Sequence, residues 1–403
     1  MGRRPTGARG PGVALAVVFL ANGMAAGGFF ARLPEQQRRF DLSNAGLGLT
    51  VLGLATGALL ASPVAGRAVT RRGSRPVVVA SAVLVGATWW LAGVAPGAAA
   101  LFGALAVIGA ADAAMDISMN ANAAAHEATA GRSVLHRLHA LWSLGMVAGA
   151  AIGAVAAGSD VPLGVHFAAV GALVAVAVLA VARRLPDGAA PATGPRPAPE
   201  PLAAGASPRR RRVVLPAASV LAGLAAGGAV LEGAATDWSA LQLERLGTSE
   251  GTAALGLAAF MAGMVGGRLV GDALTDRYGA AAVLRSGMVL VAAGMAAGLG
   301  VGRPVAFLAG LTVAGAGASV LFPLAFSASA RTPGVTPGAG AAAVSLGGRI
   351  GFIAEPVVIG LVADATTLRT ALWLVVAVAA ALAVAAPQVV PRLVPSHEVA
   401  APT

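Results

Sequence analysis

Gly66-Arg67-Ala68-Val69-Thr70-Arg71-Arg72-Gly73-Ser74-Arg75 is a basic interruption between two apolar runs, 45–66 and 77–95. A second interruption, Asp272-Ala273-Leu274-Thr275-Asp276-Arg277-Tyr278-Gly279, separates the apolar runs 252–273 and 281–301. Its closing glycine stands 206 residues after Gly73. A run of roughly 20 apolar residues crosses about 30 Å of hydrocarbon. A short arginine-bearing loop between two such runs is therefore a turn at the polar face of a bilayer. Glycine permits the tight turn, and the Asp/Arg set can cap the helix ends that meet there.

Working outward from these loops, windows of membrane length recur along most of the chain. They predict helices at 12–31, 45–66, 77–95, 99–123, 138–158, 162–182, 213–235, 252–273, 281–301, 304–328, 339–361 and 367–387. The first run has the position of a signal peptide. It is longer than an h-region, and Arg32-Leu33-Pro34-Glu35 follows with no small-residue cleavage site, so it reads as a helix. The composition agrees: 57% hydrophobic, 11% charged, mean hydropathy +0.80 over 403 residues, too little polar surface for a soluble core of this size. The fold class expected is an all-α membrane protein of twelve transmembrane helices.

The formal charge of +11 invites a nucleic-acid reading. The arginines, however, sit between the hydrophobic runs, where topology accounts for them, so no nucleic-acid partner is expected. All 28 basic residues are arginine. With the N-terminus cytoplasmic, 20 fall on cytoplasmic segments and six on outer ones, while Arg268 and Arg349 lie within spans. The positive-inside rule then puts both termini in the cytoplasm, and the all-arginine usage with an Ala/Gly/Val/Arg bias points to a GC-rich bacterial genome, so the inner membrane is expected. Cysteine is absent, which excludes disulfides, thiolate metal sites and a cysteine nucleophile. No lysine occurs, hence no Gly-x-x-x-x-Gly-Lys ATP loop, and no His-Glu-x-x-His appears. No enzyme, metal or cofactor is expected; the partners are a small-molecule substrate, a proton and the lipid bilayer, with the chain a monomer.

Residues 185–212 break the apolar pattern with prolines, glycines and the run Arg209-Arg210-Arg211-Arg212, and read as a cytoplasmic linker. It separates two halves, 1–184 and 213–403. The halves match in order: Ala25-Ala26-Gly27-Gly28 with Ala225-Ala226-Gly227-Gly228, the loop around Gly73 with that around Gly279, and Val107-Ile108-Gly109-Ala110 with Val313-Ala314-Gly315-Ala316. A parallel repeat of six helices joined by a cytoplasmic linker resembles the major facilitator superfamily. So does the loop after the second helix, where Gly66, Arg71 and Gly73 match that family's motif and Thr70 replaces its aspartate. The second copy keeps Asp276, Arg277 and Gly279 and has Asp272 in place of the first glycine. The resemblance implies two parallel six-helix bundles that move a solute by alternating access.

Within that superfamily, Asp112-x-x-x-Asp116-x-x-x-Asn120, Glu232-Gly-Ala-x-x-Asp237-Trp238-Ser239 and Gly267-Arg268-x-x-Gly271-Asp272 resemble a bacterial branch that includes the rhizopine-locus membrane protein. The branch is distantly similar to proton-coupled fucose permeases. That implies a sugar-, cyclitol- or amino-sugar-like solute and proton coupling. Proton-antiport efflux of a small metabolite or drug is the alternative; a membrane-embedded enzyme or a channel fits less well.

Charge inside a span costs roughly 2.5–3.5 kcal/mol on insertion scales, so each ionisable group there needs a reason. Asp112, Asp116 and Asn120 recur every fourth residue and share one helical face. Two carboxylates so close repel, which favours proton uptake by one of them; Asp112 and Asp116 are the expected coupling pair. Arg349, at matching depth in the eleventh helix, is their expected partner. Asn22, Asn120, Glu232 and Glu355 are candidates for substrate contact or gating. Arg268 and Asp272, four residues apart, read as an inner-face salt bridge. Asp237 reads as interfacial, and His136 and His139 as solvated or capping residues at the start of the fifth helix. Gly145, Gly149 and Gly153 form a stripe suited to close helix contact.

Overall fold

The computed structural model describes residues 9–130, 134–186, 208–332, 335 and 337–393. Among these there is no strand, and twelve helical segments are long and apolar enough to cross a membrane. Span 1 is α1 (Arg9–Phe30), and the short amphipathic α2 (Leu33–Arg39) follows it. Span 2 is α3 (Asn44–Arg72), and span 3 is α4 (Ser74–Thr88) with α5 (Trp90–Val94). Spans 4 to 6 are α6 (Ala98–Ala130), α7 (Leu135–Gly158) and α8 (Leu163–Val181). Spans 7 to 9 are α9 (Pro208–Arg245), α10 (Glu250–Tyr278) and α11 (Ala280–Val301). Span 10 is α12 (Pro304–Ala318) with α13 (Leu321–Arg331); α14 (Pro337–Ala365) and α15 (Leu368–Leu393) are spans 11 and 12.

Each predicted span is present. Several are longer than hydropathy suggests, because polar residues continue the helix past the apolar stretch. Span 2 runs on through Arg72 and span 8 through Tyr278. Span 7 runs to Arg245, so Asp237 and Trp238 lie inside it rather than beyond its end. Residues 187–207 of the expected linker, and the termini that carry Arg3 and Arg4, lie outside the described residues.

The loops at Gly73 and Gly279 have the same backbone. Gly73 (φ 82°, ψ 161°) and Gly279 (φ 80°, ψ 153°) both turn the chain in a region that L side chains rarely enter. Helix contacts repeat as well. A Cβ on Gly57 would overlap the Ala106 carbonyl, and one on Gly263 the Thr312 carbonyl. The second pair stands 206 residues after the first. Spans 1 and 5 meet where Gly145 and Gly149 lie on the backbone of Leu20 and Met24; spans 7 and 11 meet where Gly347 and Gly351 lie on Ala222 and Ala226. Every member of that set moves by 202. The backbone register of spans 1 and 7 is therefore 202, not the 200 of the Ala-Ala-Gly-Gly match, and Glu355 corresponds to Gly153.

By contacts the chain divides into two compact units, Met1–Gly194 with Ser239–Met261, and Pro195–Trp238 with Ala262–Thr403. In the first, α1 packs on α7 and α8, and α6 on α3 and α4. In the second, α11 packs on α12 and α15, and α14 on α13 and α15.

Candidate functional site

The α1–α7 crossing decides what can meet in the first unit. Gly23 and Gly27 lie on the backbone of Trp142 and Met146, and Gly145 and Gly149 answer from α7. With side chains removed from both surfaces, the two backbones come into contact, as small-residue stripes allow in membranes. Glu127 at the end of α6 accepts from the Val134 and Leu135 amides at 2.9 and 3.2 Å, fixing where α7 starts.

Asn22, 3% exposed, then reaches both neighbours. Its Nδ2 donates to Asp112 Oδ1 at 2.7 Å, and its Oδ1 accepts from Trp142 Nε1 at 2.8 Å. An indole nitrogen only donates, so Trp142 fixes the amide with its NH₂ toward Asp112. One turn further along α6, Asn120 Nδ2 donates to the Asp116 carboxylate and carbonyl, both at 2.9 Å. Asn120 Oδ1 lies 3.1 Å from His139 Nε2, and Phe19 meets that imidazole edge-on at 5.4 Å. Since Asn120 uses its NH₂ on Asp116, His139 donates from Nε2.

The result is two polar chains side by side, Trp142–Asn22–Asp112 and His139–Asn120–Asp116. The helical face predicted for Asp112, Asp116 and Asn120 is present, and each carboxyl has an asparagine of its own. Asn120 and Asp112 are half-buried; Asp116 is exposed. His139 is exposed, as expected of a solvated helix start, and is also tied into the chain through Asn120. The spacing of His139 and Trp142, three apart on one face of span 5 opposite Asn120 and Asn22, was the available signal. The side chain of His136 lies outside the described residues.

The second unit places its acids differently. Half-buried Glu232 on α9 has the Arg268 guanidinium of α10 as its electrostatic neighbour. Asp272, expected to pair with Arg268, is exposed. Glu355 on α14 and Asp237 on α9 are 2% and 8% exposed and lie against each other. Asp237, read as interfacial, is instead a buried residue, on a helix that continues eight residues past it to Arg245. Trp238 Nε1 donates to Glu355 Oε1 at 2.9 Å. Arg349 is exposed on the same helix as Glu355.

The loop residues act at the opposite end of the helices from α2. Thr70, standing where the motif has aspartate, donates to the Gly66 carbonyl at 2.9 Å and brings no charge. Gly66 has open space around it. Arg71, Asp276 and Arg277 are exposed, with the Arg277 guanidinium 5.2 Å over the Tyr278 ring. Arg75 donates to the Ala182 carbonyl at 3.0 Å, capping the end of span 6. Asn122 ties α6 to Ser74 at 2.8 Å and to the Pro186 carbonyl at 3.0 Å, so it serves this anchor rather than the acid face.

At the α2 end, Arg38 pairs with Glu244 and Glu250, and Arg245 donates to Asn44 Oδ1. Burial alone would lower the Arg38 pKa; the Glu244 hydrogen bond and the Glu244, Glu250 and Glu35 charges outweigh it and hold the guanidinium above its ordinary value. Among the described residues there is no group of three or more histidines and acids that could hold a metal.

Twelve spans, a backbone repeat across two halves and acids buried within the spans define a multi-pass membrane transporter. The Major Facilitator Superfamily model matches residues 15–243 and 235–403. The chain belongs to that superfamily, whose members are transporters and not enzymes. It is 34% identical over 385 residues to the "Uncharacterized transporter y4wD" of Sinorhizobium fredii, covering 93% of this chain and 96% of that one. It is 30% identical over 378 residues to "Membrane protein MosC" of Rhizobium meliloti, covering 92% and 88%. The solved transporter FucP, in its outward conformation, superposes with a TM-score of 0.63 at 20% identity, over 95% of this chain and 99% of that one. That likeness is one of fold.

Proposed function

We propose that the protein is a proton-coupled secondary carrier that moves a small polar solute of sugar, cyclitol or amino-sugar type across the inner membrane by alternating access. The carrying observation is the contact of Asn22 with Asp112, an ionisable group inside a span held by an amide from span 1 and, through it, by the Trp142 indole. Amide, indole and imidazole donors beside two carboxyls suit a hydroxylated solute, which both gives and takes hydrogen bonds. Asp112 takes and releases the proton. Asp116, with Asn120 and His139, is the second acceptor on the same face. Glu232 contacts solute or gates. Arginine distribution supports cytoplasmic termini.

Proteoliposomes supply the test. A panel of sugars, cyclitols and amino sugars is added under an imposed pH gradient while internal pH and uptake are followed. Coupled uptake is expected for one class, and Asp112→Asn is expected to lower it by at least about tenfold, the equivalent of one pK unit or 1.4 kcal/mol of coupling. Uptake indifferent to the pH gradient, or unchanged in Asp112→Asn, defeats the reading. Arg349 is proposed as a partner of the span 4 acids from its depth in the sequence, and the exchange Asp116→Arg with Arg349→Asp is its test: recovery of transport lost in both single variants supports it.

A further inference from the structure

Among the described residues, Asp237 and Glu355 are the most enclosed acids of the second unit, and no cation among them answers the pair. Trp238, 1% exposed, gives its one N–H to Glu355 Oε1 at 2.9 Å. Glu355 Oε2 is fully buried and has no donor. It rests instead against Gly233: a Cβ there would lie 2.8 Å from Oε2, so the carboxyl occupies the space a side chain would fill. Beside it is Asp237, another carboxyl with acceptors only when ionised.

The charged groups around the pair are otherwise engaged or distant. On α9, Glu232 faces Arg268 of α10, and Arg245 is bonded to Asn44. On α14, Arg349 and Asp364 are six and nine residues from Glu355, or about 9 and 14 Å along the axis. On α15, Arg369 is bonded to the Leu299 and Gly300 carbonyls at 2.8 and 3.0 Å. Two neighbouring anions in an apolar setting with a single indole donor would be strongly destabilising. An orphaned acceptor against a second carboxyl lacks one hydrogen.

We infer that Asp237 and Glu355 form a proton-binding site of the second unit, holding one proton between an Asp237 oxygen and Glu355 Oε2. Loading adds one proton to two carboxylates and forms one O–H donor; release returns that proton to water and leaves two anions that repel across the α9–α14 contact. The pair has no counterpart in the first half, where Gly153 stands at the position of Glu355. A role in transport rests on the carrier reading; the site itself does not, because it fills without solute.

The test is a titration of the full chain in lipid nanodiscs without solute. In a variant with Trp89, Trp90, Trp142 and Trp373 replaced by Phe, Trp238 emission reports on Glu355. Emission is expected to follow pH in a one-proton step that disappears in Glu355→Gln and moves by at least tenfold in proton affinity in Asp237→Asn. Should the single-tryptophan chain not fold, infrared difference spectra of the five-tryptophan protein against Glu355→Gln and Asp237→Asn read the same proton, with loss of a carboxylic-acid C=O band expected in each. Emission independent of pH, a step indifferent to Asp237→Asn, no C=O band lost, or a response to sodium at constant pH overturns the inference. A protein that titrates but does not carry solute defeats the carrier reading alone, whereas coupled transport without this titration defeats the pair alone.

Discussion

In span 4 each acid meets an asparagine, and each asparagine is held by an aromatic N–H from span 5. In spans 7 and 11 two acids meet each other with one indole between them and the surrounding apolar groups. The backbones that carry these sites are built alike. Positions 22, 139 and 142 become Leu224, Ala341 and Val344 in the 202 register, while 112, 116 and 120 become Ala318, Phe322 and Phe326 in the 206 register. The repeat thus keeps glycine at Gly57 and Gly263, Gly145 and Gly347, and Gly149 and Gly351, puts Ala225 and Ala229 where the first half has Gly23 and Gly27, and keeps nothing of the polar chains. The frame is shared because two six-helix bundles face the same packing problem; the chemistry is not, because each half holds its charge in its own way.

The largest effect should come from the frame. Gly57→Leu and Gly263→Leu each force a side chain into the carbonyl of the facing helix, Ala106 or Thr312. Overpacking a dense contact costs about 1–3 kcal/mol where neighbours can move aside, and here the neighbour is backbone. Both variants are expected to lose most folded protein, read as the monodisperse fraction in detergent and as thermal stability. If one is tolerated and the other not, the halves are not equivalent at this crossing, and the comparison breaks there.

A middle-sized effect should separate the halves. Asn22→Leu installs the residue that already stands at the equivalent buried position, Leu224. It leaves Asp112 and the Trp142 N–H without partners, at about 1–3 kcal/mol for a buried polar group. The converse, Leu224→Asn, buries an amide among apolar groups and should cost a similar amount, so a symmetric frame gives two destabilised proteins. A lowered melting temperature in both is expected. Asn22→Leu that melts like the wild type would mean that Asp112 is held by something other than the amide.

Much of this was legible. Span number and the loop glycines follow from hydropathy and from the one residue that accepts φ near 80°, at Gly73 and Gly279. The shared face of Asp112, Asp116 and Asn120 follows from helical periodicity, and the Gly145 stripe announces a close contact. What the stripe does not say is with which helix, and hence that Asn22 would bridge Trp142 and Asp112. That depends on tertiary pairing, as does the environment of Asp237, which hydropathy ended with the apolar run at 235 while the helix continued to Arg245. Ala- and Gly-rich blocks also match by composition, which is why the repeat register of span 1 was two residues out.

The smallest expected effect belongs to the α2 end, whose charges have no matching set in the other loop. Arg38 is 44% exposed, and its partners Glu244 and Glu250 are 22% and 45% exposed. Exposed pairs of this kind are worth about 0.2–1 kcal/mol each and are weakened by salt. Arg38→Gln is therefore expected to lower the melting temperature slightly at low salt and not at high salt. Because Glu244 and Glu250 sit on α9 and α10 at either side of the turn that joins them, the same substitution should raise proteolytic cleavage around residues 245–250 at low salt. A salt-independent loss of stability as large as that of Asn22→Leu would show that Arg38 is structural in the sense the buried acids are, and the contrast between an enclosed site and a solvated clasp would fail.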